Sequence, residues 1–515
     1  MSAEKGKSKV GFDNDKYLQE QTRFILERAK HGGEKLYIEC GGKLLHDFHA
    51  SRVLPGYDPD VKMRVFSSLV DKIDIIICIH AEAIENKKIR ADFGTTYDAD
   101  VFQMIEDFKA WGLNPTRVVI TRFKGEKSAL LFKDLLERRG IKVYLHTPTK
   151  GYPTNVDEIV SDAGYGQNEY IETEKPIVIV TAPGPGSGKL GTCLSQIYHE
   201  FKRGKKASYS KFETFPIWNL PIDHPVNVAY EAATADLGDV NLIDHFYLAS
   251  TGKTAVNYNR DLEAFPLLKR ILEKITGDES IYKSPTDMGV NRCGFGIVND
   301  AVVREAANQE IIRRYLIARE EYAKGRVSKQ TVDRSYDIMS RMGLTPLMRP
   351  VVPVCHARLT SAIAKGKGKD GITCVGAIEL PDGEIVTGTN SPLMHASTAM
   401  LFNALKTMAK IDDEVDLIPE DIIRSVRHMK KDILHEVGCS LNLDEGLICL
   451  ALSAATSKDA KRVLETLPKV KGLPAHLSHI PSSGDLKGLR VLGINVTSED
   501  VYPRSELARY IREEV

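Results

Sequence analysis

The sequence predicts an α/β protein: a Rossmann-like parallel sheet in its N-terminal half, carrying a P-loop-like glycine turn, then a helical segment and a C-terminal mixed α/β domain. Three observations carry this. Short apolar runs alternate with helical patterns through the N-terminal half, the signature of βαβ units. One such run, Val178-Ile-Val-Thr181, passes into four glycines and a lysine and then into a helical pattern. Further on, Ile372–Leu380 and Glu384–Gly388 flank Pro381-Asp382-Gly383, a strong hairpin signal.

In chain order, a helix is expected over Asn14–His31, followed by strands at Leu36–Glu39, Ile73–Ile79 and Arg117–Thr121. Helix Ser128–Arg139 and strand Ile141–Leu145 come next, and then strand Pro176–Thr181 feeds the glycine loop. A helix through about Phe201 and a strand over Ala207–Phe215 complete the N-terminal pattern. Residues 299–342 read as helical and strongly charged, with Val303–Arg319 the clearest amphipathic stretch. After the hairpin, a helix is expected over Met394–Ala409. These shifts of texture place boundaries at 1–170, 171–298, 299–345 and 346–515.

Composition narrows the function. Among 515 residues, 70 are Lys or Arg and 70 are Asp or Glu, so no net charge favours nucleic acid or a membrane surface. No run approaches the length of a membrane span, and the first ten residues lack the apolar core of a signal peptide. The eight cysteines are scattered with no Cys-x-x-Cys, which predicts free thiols and a reducing cytoplasm.

The glycine loop, Thr181-Ala-Pro-Gly-Pro-Gly-Ser-Gly-Lys189, is an anion site by construction: unpaired N–H groups at a helix start point at the ligand and the helix dipole favours negative charge. Two motifs compete for it. A P-loop, G-x-x-x-x-G-K-[ST], is half matched by Gly188-Lys189, but Pro183 stands at the first glycine. Leu190 stands where a hydroxyl would hold Mg²⁺, with Thr192 the nearest substitute. A dinucleotide loop, G-x-G-x-x-G, is matched by Gly186, Gly188 and Gly191, with Glu213 as the acid that would bind ribose. Gly184, Gly186, Ser187, Gly188, Lys189, Thr192 and Glu213 are therefore the cofactor-binding candidates. A glycine turn with no ligand is the plainer alternative.

Polar runs after the predicted strands supply the rest. Asp236 and Asp239, three apart, could share Mg²⁺ beside phosphates. Lys43, Arg52, Arg90 and Asp92 suit a phosphorylated second substrate and its acid–base work, and Lys43, Arg90, Asp92 and Lys189 form the catalytic set. His46, Asp47 and His49 offer a weaker metal alternative. Each residue alone reads equally well as a surface salt bridge.

Four long runs, Cys40–Gly56, Thr181–Lys189, Lys211–Leu220 and Ser284-Pro-Thr-Asp-Met-Gly-Val-Asn291, resemble one large bacterial family of unknown function over nearly the whole chain. That resemblance implies a nucleotide-binding α/β N-terminal half and carries over no established reaction. In the C-terminal part, strand, turn, strand and then Thr389-Asn-Ser-Pro-Leu-Met-His-Ala-Ser397 entering a helix is similar in order to the cytidine-deaminase fold. That fold holds zinc through His or Cys and a later Pro-Cys-x-x-Cys, with a Glu as acid–base. Ser397 replaces the Glu, and Cys439 and Cys449 form no Cys-x-x-Cys, so a zinc-free relative of the fold is expected.

The leading expectation is an enzyme acting on a phosphorylated small molecule or nucleotide, by phosphoryl-type transfer or ligation, with ATP or another nucleotide and Mg²⁺. The alternatives are a regulatory protein that binds a nucleotide or metabolite without turnover, an NAD(P)-dependent oxidoreductase, and a scaffold. The expected partners are a small phosphorylated ligand and further copies of the chain.

Overall fold

The computed structural model describes residues 10–89, 95–279, 282–436 and 438–503. The described residues of Lys9–Glu231 and Gly238–Ala307 form one compact unit, and those of Ala232–Leu237 and Asn308–Val515 form another.

The first unit is built on six strands: β1 Lys35–Cys40, β2 Ile73–His80, β3 Arg117–Thr121, β4 Lys142–Leu145, β5 Ile177–Thr181 and β6 Ala207–Phe212. All pair in parallel, in the order β4-β3-β2-β5-β1-β6. Every residue of β5 is buried, because a parallel sheet is covered on both faces and its strands read as continuous apolar runs. Helix Asn14–His31 opens as its sequence predicts, with Asp13 accepting from the backbone N–H groups of Asp15 and Lys16. A short antiparallel pair, β7 Asn241–Ile243 and β8 Val256–Tyr258, completes this unit.

The sheet joins two stretches that read separately in the sequence. Residues before and after 170 supply strands to one sheet, with β5 inserted between β2 and β1. This insertion creates a topological switch point. The chain leaves β2 towards β3 and β4, and it leaves β5 the other way, towards β6. Neighbouring strands whose connections diverge leave an open crevice at their C-terminal ends, the switch point where ligands of open α/β sheets bind. The glycine loop follows β5 and lies there.

In the second unit, helices Lys329–Arg341 and Val351–Ala364 precede a four-stranded sheet. Its strands are β9 Val375–Glu379, β10 Ile385–Thr389, β11 Pro474–Leu477 and β12 Asn495–Ser498, in the order β10-β9-β11-β12. β9 runs antiparallel to both neighbours, and β11 and β12 are parallel. The expected hairpin is present, as is the helix after it, Ala396–Ala409. The core gathers Met400, Leu401, Leu405, Leu443, Leu450 and Leu477 against this sheet. No helix among the described residues is long and apolar enough to cross a membrane, and all eight cysteines are unpaired thiols.

Candidate functional site

The glycine loop is held from below. β5 ends at Thr181, in register with Ile77, three residues before β2 ends at His80. The loop therefore reaches forward against the ends of β2 and β3. Thr121 Oγ1, at the end of β3, donates to the Ser187 carbonyl at 2.9 Å. Gly188 sits directly on Thr121, where a Cβ would come within 2.7 Å of Oγ1, and its φ of +85° is one that side chains disfavour. Gly184 lies under the Tyr97 ring: a Cβ there would meet the phenol oxygen. Only a glycine fits at either position.

The candidates in the loop divide accordingly. Gly186 faces outward, with φ +74° and no atom within 4 Å of where its Cβ would be. Ser187 turns inward, is buried, and closes the loop by donating Oγ to the Gly184 carbonyl at 2.9 Å. Thr192 is buried beneath the loop, its hydroxyl 3.4 Å from Cys78 Sγ, and Leu190 packs on the core. Lys189 opens helix Lys189–Lys202, is half-buried, and has no hydrogen bond or ion pair among the described residues. Its charge reaches Cys40, Cys78 and Cys193, whose thiols burial nevertheless pushes up, to about 12 for Cys78.

Glu213 lies beyond the end of β6, two strands from the loop. Its carboxylate fills the space a side chain at Gly41 would need and lies 3.2 Å from Lys211 Nζ and 3.1 Å from the Tyr258 hydroxyl. Lys211 also donates to both oxygens of Asp261 at 2.7 Å and to Tyr258. Beside it, the Tyr209 hydroxyl donates to Glu39 at 2.8 Å. Burial raises the Glu213 carboxyl above the usual range, with the Asp261 and Glu39 charges adding to it against the pull of Lys211. Burial works against the Lys211 ammonium, but Asp261 and Glu213 outweigh it and hold its pKa well above that of an ordinary lysine. The cluster is a hydrogen-bonded group of charges at the ends of β1 and β6.

The remaining candidates fall elsewhere. Arg90 and Asp92 lie outside the described residues. The Lys43 carbonyl accepts from buried Lys62, which also binds Asp47 at 2.8 Å, so the Asp47 carboxylate is held by an ammonium rather than offered to a metal. His49 meets Phe215 edge-on. Asp236 is exposed on a short turn, whereas Asp239 is buried and gripped by Arg260 through Nε at 2.6 Å and Nη2 at 2.8 Å. Asp236 sits in a 3₁₀ turn, Ala235–Leu237, that ends before Asp239, so no single regular element carries both carboxylates.

In the second unit, His395 stands immediately before helix Ala396–Ala409, and Asp485 lies in the first turn of helix Ser483–Val491, which follows β11. The His395 ring Nδ1 is 2.7 Å from Asp485 Oδ2, which also accepts from Ser482 Oγ at 2.6 Å, while Oδ1 accepts from the Leu443 N–H at 2.9 Å. Burial alone would raise the Asp485 carboxyl, but His395 and the serine hydroxyls hold it down at about 2. Burial pushes the neighbouring His479 imidazole down to about 4.

Comparison with known proteins follows this architecture along the whole chain. The model for the domain of unknown function DUF1846, N-terminal, matches residues 10–343, and its C-terminal counterpart matches residues 348–508. The chain belongs to the DUF1846 family. A UPF0371 protein of Fusobacterium nucleatum is 54% identical over 503 residues, covering 97% of this chain and 99% of the relative. A UPF0371 protein of Clostridium tetani is 52% identical over 500 residues, covering 97% and 99%. The family resemblance read from the four motifs thus extends from end to end.

For this family member, the residues that sequence reading missed are informative. Pro481-Ser-Ser-Gly-Asp485 has the spacing of Pro-Cys-x-x-Cys, with Ser482 and Asp485 at the cysteine positions, and it packs against His395. A search for cysteines alone passes over it. Tyr97 and Thr121, which shape the glycine loop, are distant in sequence and carry no local signal.

Proposed function

We propose that the glycine loop binds the phosphate of a nucleotide or another phosphorylated small molecule, and that the protein acts on that ligand. The observation that carries this reading is Lys189: a half-buried lysine at the start of a helix, with no acidic partner among the described residues, beside the open face of Gly186. A lysine without a counter-ion beside the N–H groups of a helix start favours an anion there. The loop's place at the divergence of β2 and β5 supports the same reading. On the catalytic form of the proposal, Lys211 and Glu213 supply proton transfer at the neighbouring strand ends.

Topology favours a phosphate over a dinucleotide. In the dinucleotide fold the strand bearing the ribose-binding acid neighbours the glycine strand. Here β1 lies between β5 and β6, and Glu213 is engaged by Lys211 and Tyr258.

One observation favours a second reading, a nucleotide- or metabolite-responsive binder without turnover. Leu190 packs on the core and the Thr192 hydroxyl is beneath the loop, so neither residue after Lys189 offers a hydroxyl to Mg²⁺. Thermal shifts with ATP, ADP, pyrophosphate and NADPH, followed by phosphate-release assays, separate the readings. Stabilisation by a phosphate ligand that is lost in Lys189→Ala supports the site, and phosphate release then selects the enzyme. Equal stabilisation of both proteins, or of neither, overturns it.

A further inference from the structure

The second unit holds a group of side chains that the glycine-loop reading leaves unused. β11 and β12 are parallel neighbours, with His476 in register with Thr497. Glu499 directly follows β12, two residues after Thr497 and on the same face, and its N–H continues the pairing by donating to the Leu477 carbonyl at 2.9 Å. His356, on helix Val351–Ala364, comes to the same point. His356 Nε2 lies 2.8 Å and His476 Nε2 3.4 Å from Glu499 Oε1. The ligand atoms of all three residues lie within 4.8 Å of one another.

The hydrogen bonds around His476 leave its Nε2 without a partner. Thr497 Oγ1 lies 3.1 Å from the Ala475 carbonyl and 3.0 Å from His476 Nδ1. A hydroxyl has one proton, and the carbonyl can only accept, so Thr497 gives its proton to Ala475 and accepts from His476 Nδ1–H. That fixes the neutral ring in the tautomer whose Nε2 carries a lone pair. His476 is fully buried, and its Nε2 makes no hydrogen bond. The lone pair is therefore aimed, without a partner, at a carboxylate oxygen that is itself an acceptor. In that tautomer two acceptors face each other, with His476 fully buried and Glu499 half-buried.

We propose that His356 Nε2, His476 Nε2 and Glu499 Oε1 are the ligands of a divalent first-row transition ion, with Zn²⁺ the best fit. Two imidazoles and one carboxylate with a further open position form a known set for such ions. Ligands about 2.0–2.2 Å from a tetrahedral ion are separated by roughly 3.4 Å, the spacing already present between His476 and Glu499. The shorter contact from His356 must open, and that side chain sits at the surface with 43% of its area exposed. The nearby cation does not compete. Arg319 approaches the other oxygen, Oε2, at 3.6 Å, and its charge is matched by Asp500 through contacts of 2.6 and 3.1 Å. Thr497 orients His476 as an outer partner orients a metal-bound histidine.

The test uses the untagged full-length chain, stripped with chelator and titrated with Zn²⁺ by calorimetry and with Co²⁺ by visible absorption. One equivalent of each should bind, with a Co²⁺ spectrum of four- or five-coordinate form. Glu499→Gln and His476→Gln should weaken binding at least tenfold. His356→Gln changes only a surface side chain, so it keeps the test decisive if the buried variants fail to fold, and it should weaken binding by a similar factor. Failure of the wild type to bind either ion overturns the proposal. So does unchanged affinity in His356→Gln, or a His476 ring found doubly protonated by nitrogen NMR at neutral pH.

Discussion

The two sheets present their functional ends in opposite ways. At the end of the six-stranded sheet, the glycine loop is braced from below by Thr121 and Tyr97, yet its outer face is open, and Lys189 stands there without an acid. At the end of the four-stranded sheet, His395, Ser482 and the Leu443 N–H occupy both oxygens of Asp485. The first arrangement is complete as a scaffold and incomplete in charge. In the second, both oxygens of one carboxylate are matched. A polar site that has closed on its own hydrogen bonds holds a fold together, whereas a supported site with an uncompensated charge is poised for a ligand.

The largest expected effect breaks the closed end. Gly388 in β10 touches the backbone of helix Ala396–Ala409, where a Cβ would lie 2.0 Å from the Met400 nitrogen. Backbone cannot give way as a side-chain tip can, so Gly388→Ala should push the helix that follows His395 off the sheet, at a cost of about 3 kcal/mol or more. Hydrogen exchange should show faster opening across β9–β11, with the six-stranded sheet unchanged.

Asp485→Asn sharpens the comparison from the other side. It leaves His395 and Ser482 facing a neutral amide, and should destabilise the second unit by about 2–3 kcal/mol. The pH dependence has a definite sign. The folded Asp485 carboxyl sits at about 2, below its ordinary 3.8, so its stabilisation is complete above the ordinary value and is lost as pH falls towards 2. His479 sits at about 4, below 6.5, and strains the fold on protonation, so stability already falls as pH drops from 6.5 towards 4. Acid unfolding of the second unit should be visibly flatter below pH 4 in Asp485→Asn than in the wild type.

How much of this contrast could be read from the sequence depends on whether its cause was local. The strands β1 to β6, helix Asn14–His31 and the β9–β10 hairpin follow from runs of apolar residues, a capping Asp13 and a Pro-Asp-Gly turn, all within a few residues. Lys189 and Gly186 were legible for the same reason. The insertion of β5 between β2 and β1 was not, because parallel pairing is chosen over long chain separations by which faces must be covered. Glu213 was legible as an acid at a strand end, but its contact with Tyr258 and the sharing of Lys211 with Asp261 depend on residues 45 and 50 positions away. Asp239 and Asp236 show the limit of spacing arguments: a three-residue spacing shares a face only where one helix runs through both positions, and here the turn ends at Leu237.

The smallest expected effect concerns the open end. Gly186 has a φ of +74° but free space around it, so Gly186→Ala should cost only about 1 kcal/mol, from backbone conformation alone. Its effect on phosphate binding should be larger than its effect on stability, since a methyl group would stand where the ligand approaches. A loss of stability without a loss of binding would place the ligand elsewhere.

The most direct measurement is calorimetric titration of the wild type, Lys189→Ala and Lys202→Ala with ATP and with pyrophosphate. Lys202 lies at the far end of the same helix and pairs with Asp162 at 3.2 Å, so it controls for a general loss of positive charge. Binding by the wild type and Lys202→Ala, with at least a tenfold loss in Lys189→Ala, is the predicted result. Equal affinity in all three proteins, or no binding in any, would contradict the assignment of the glycine loop as a phosphate site.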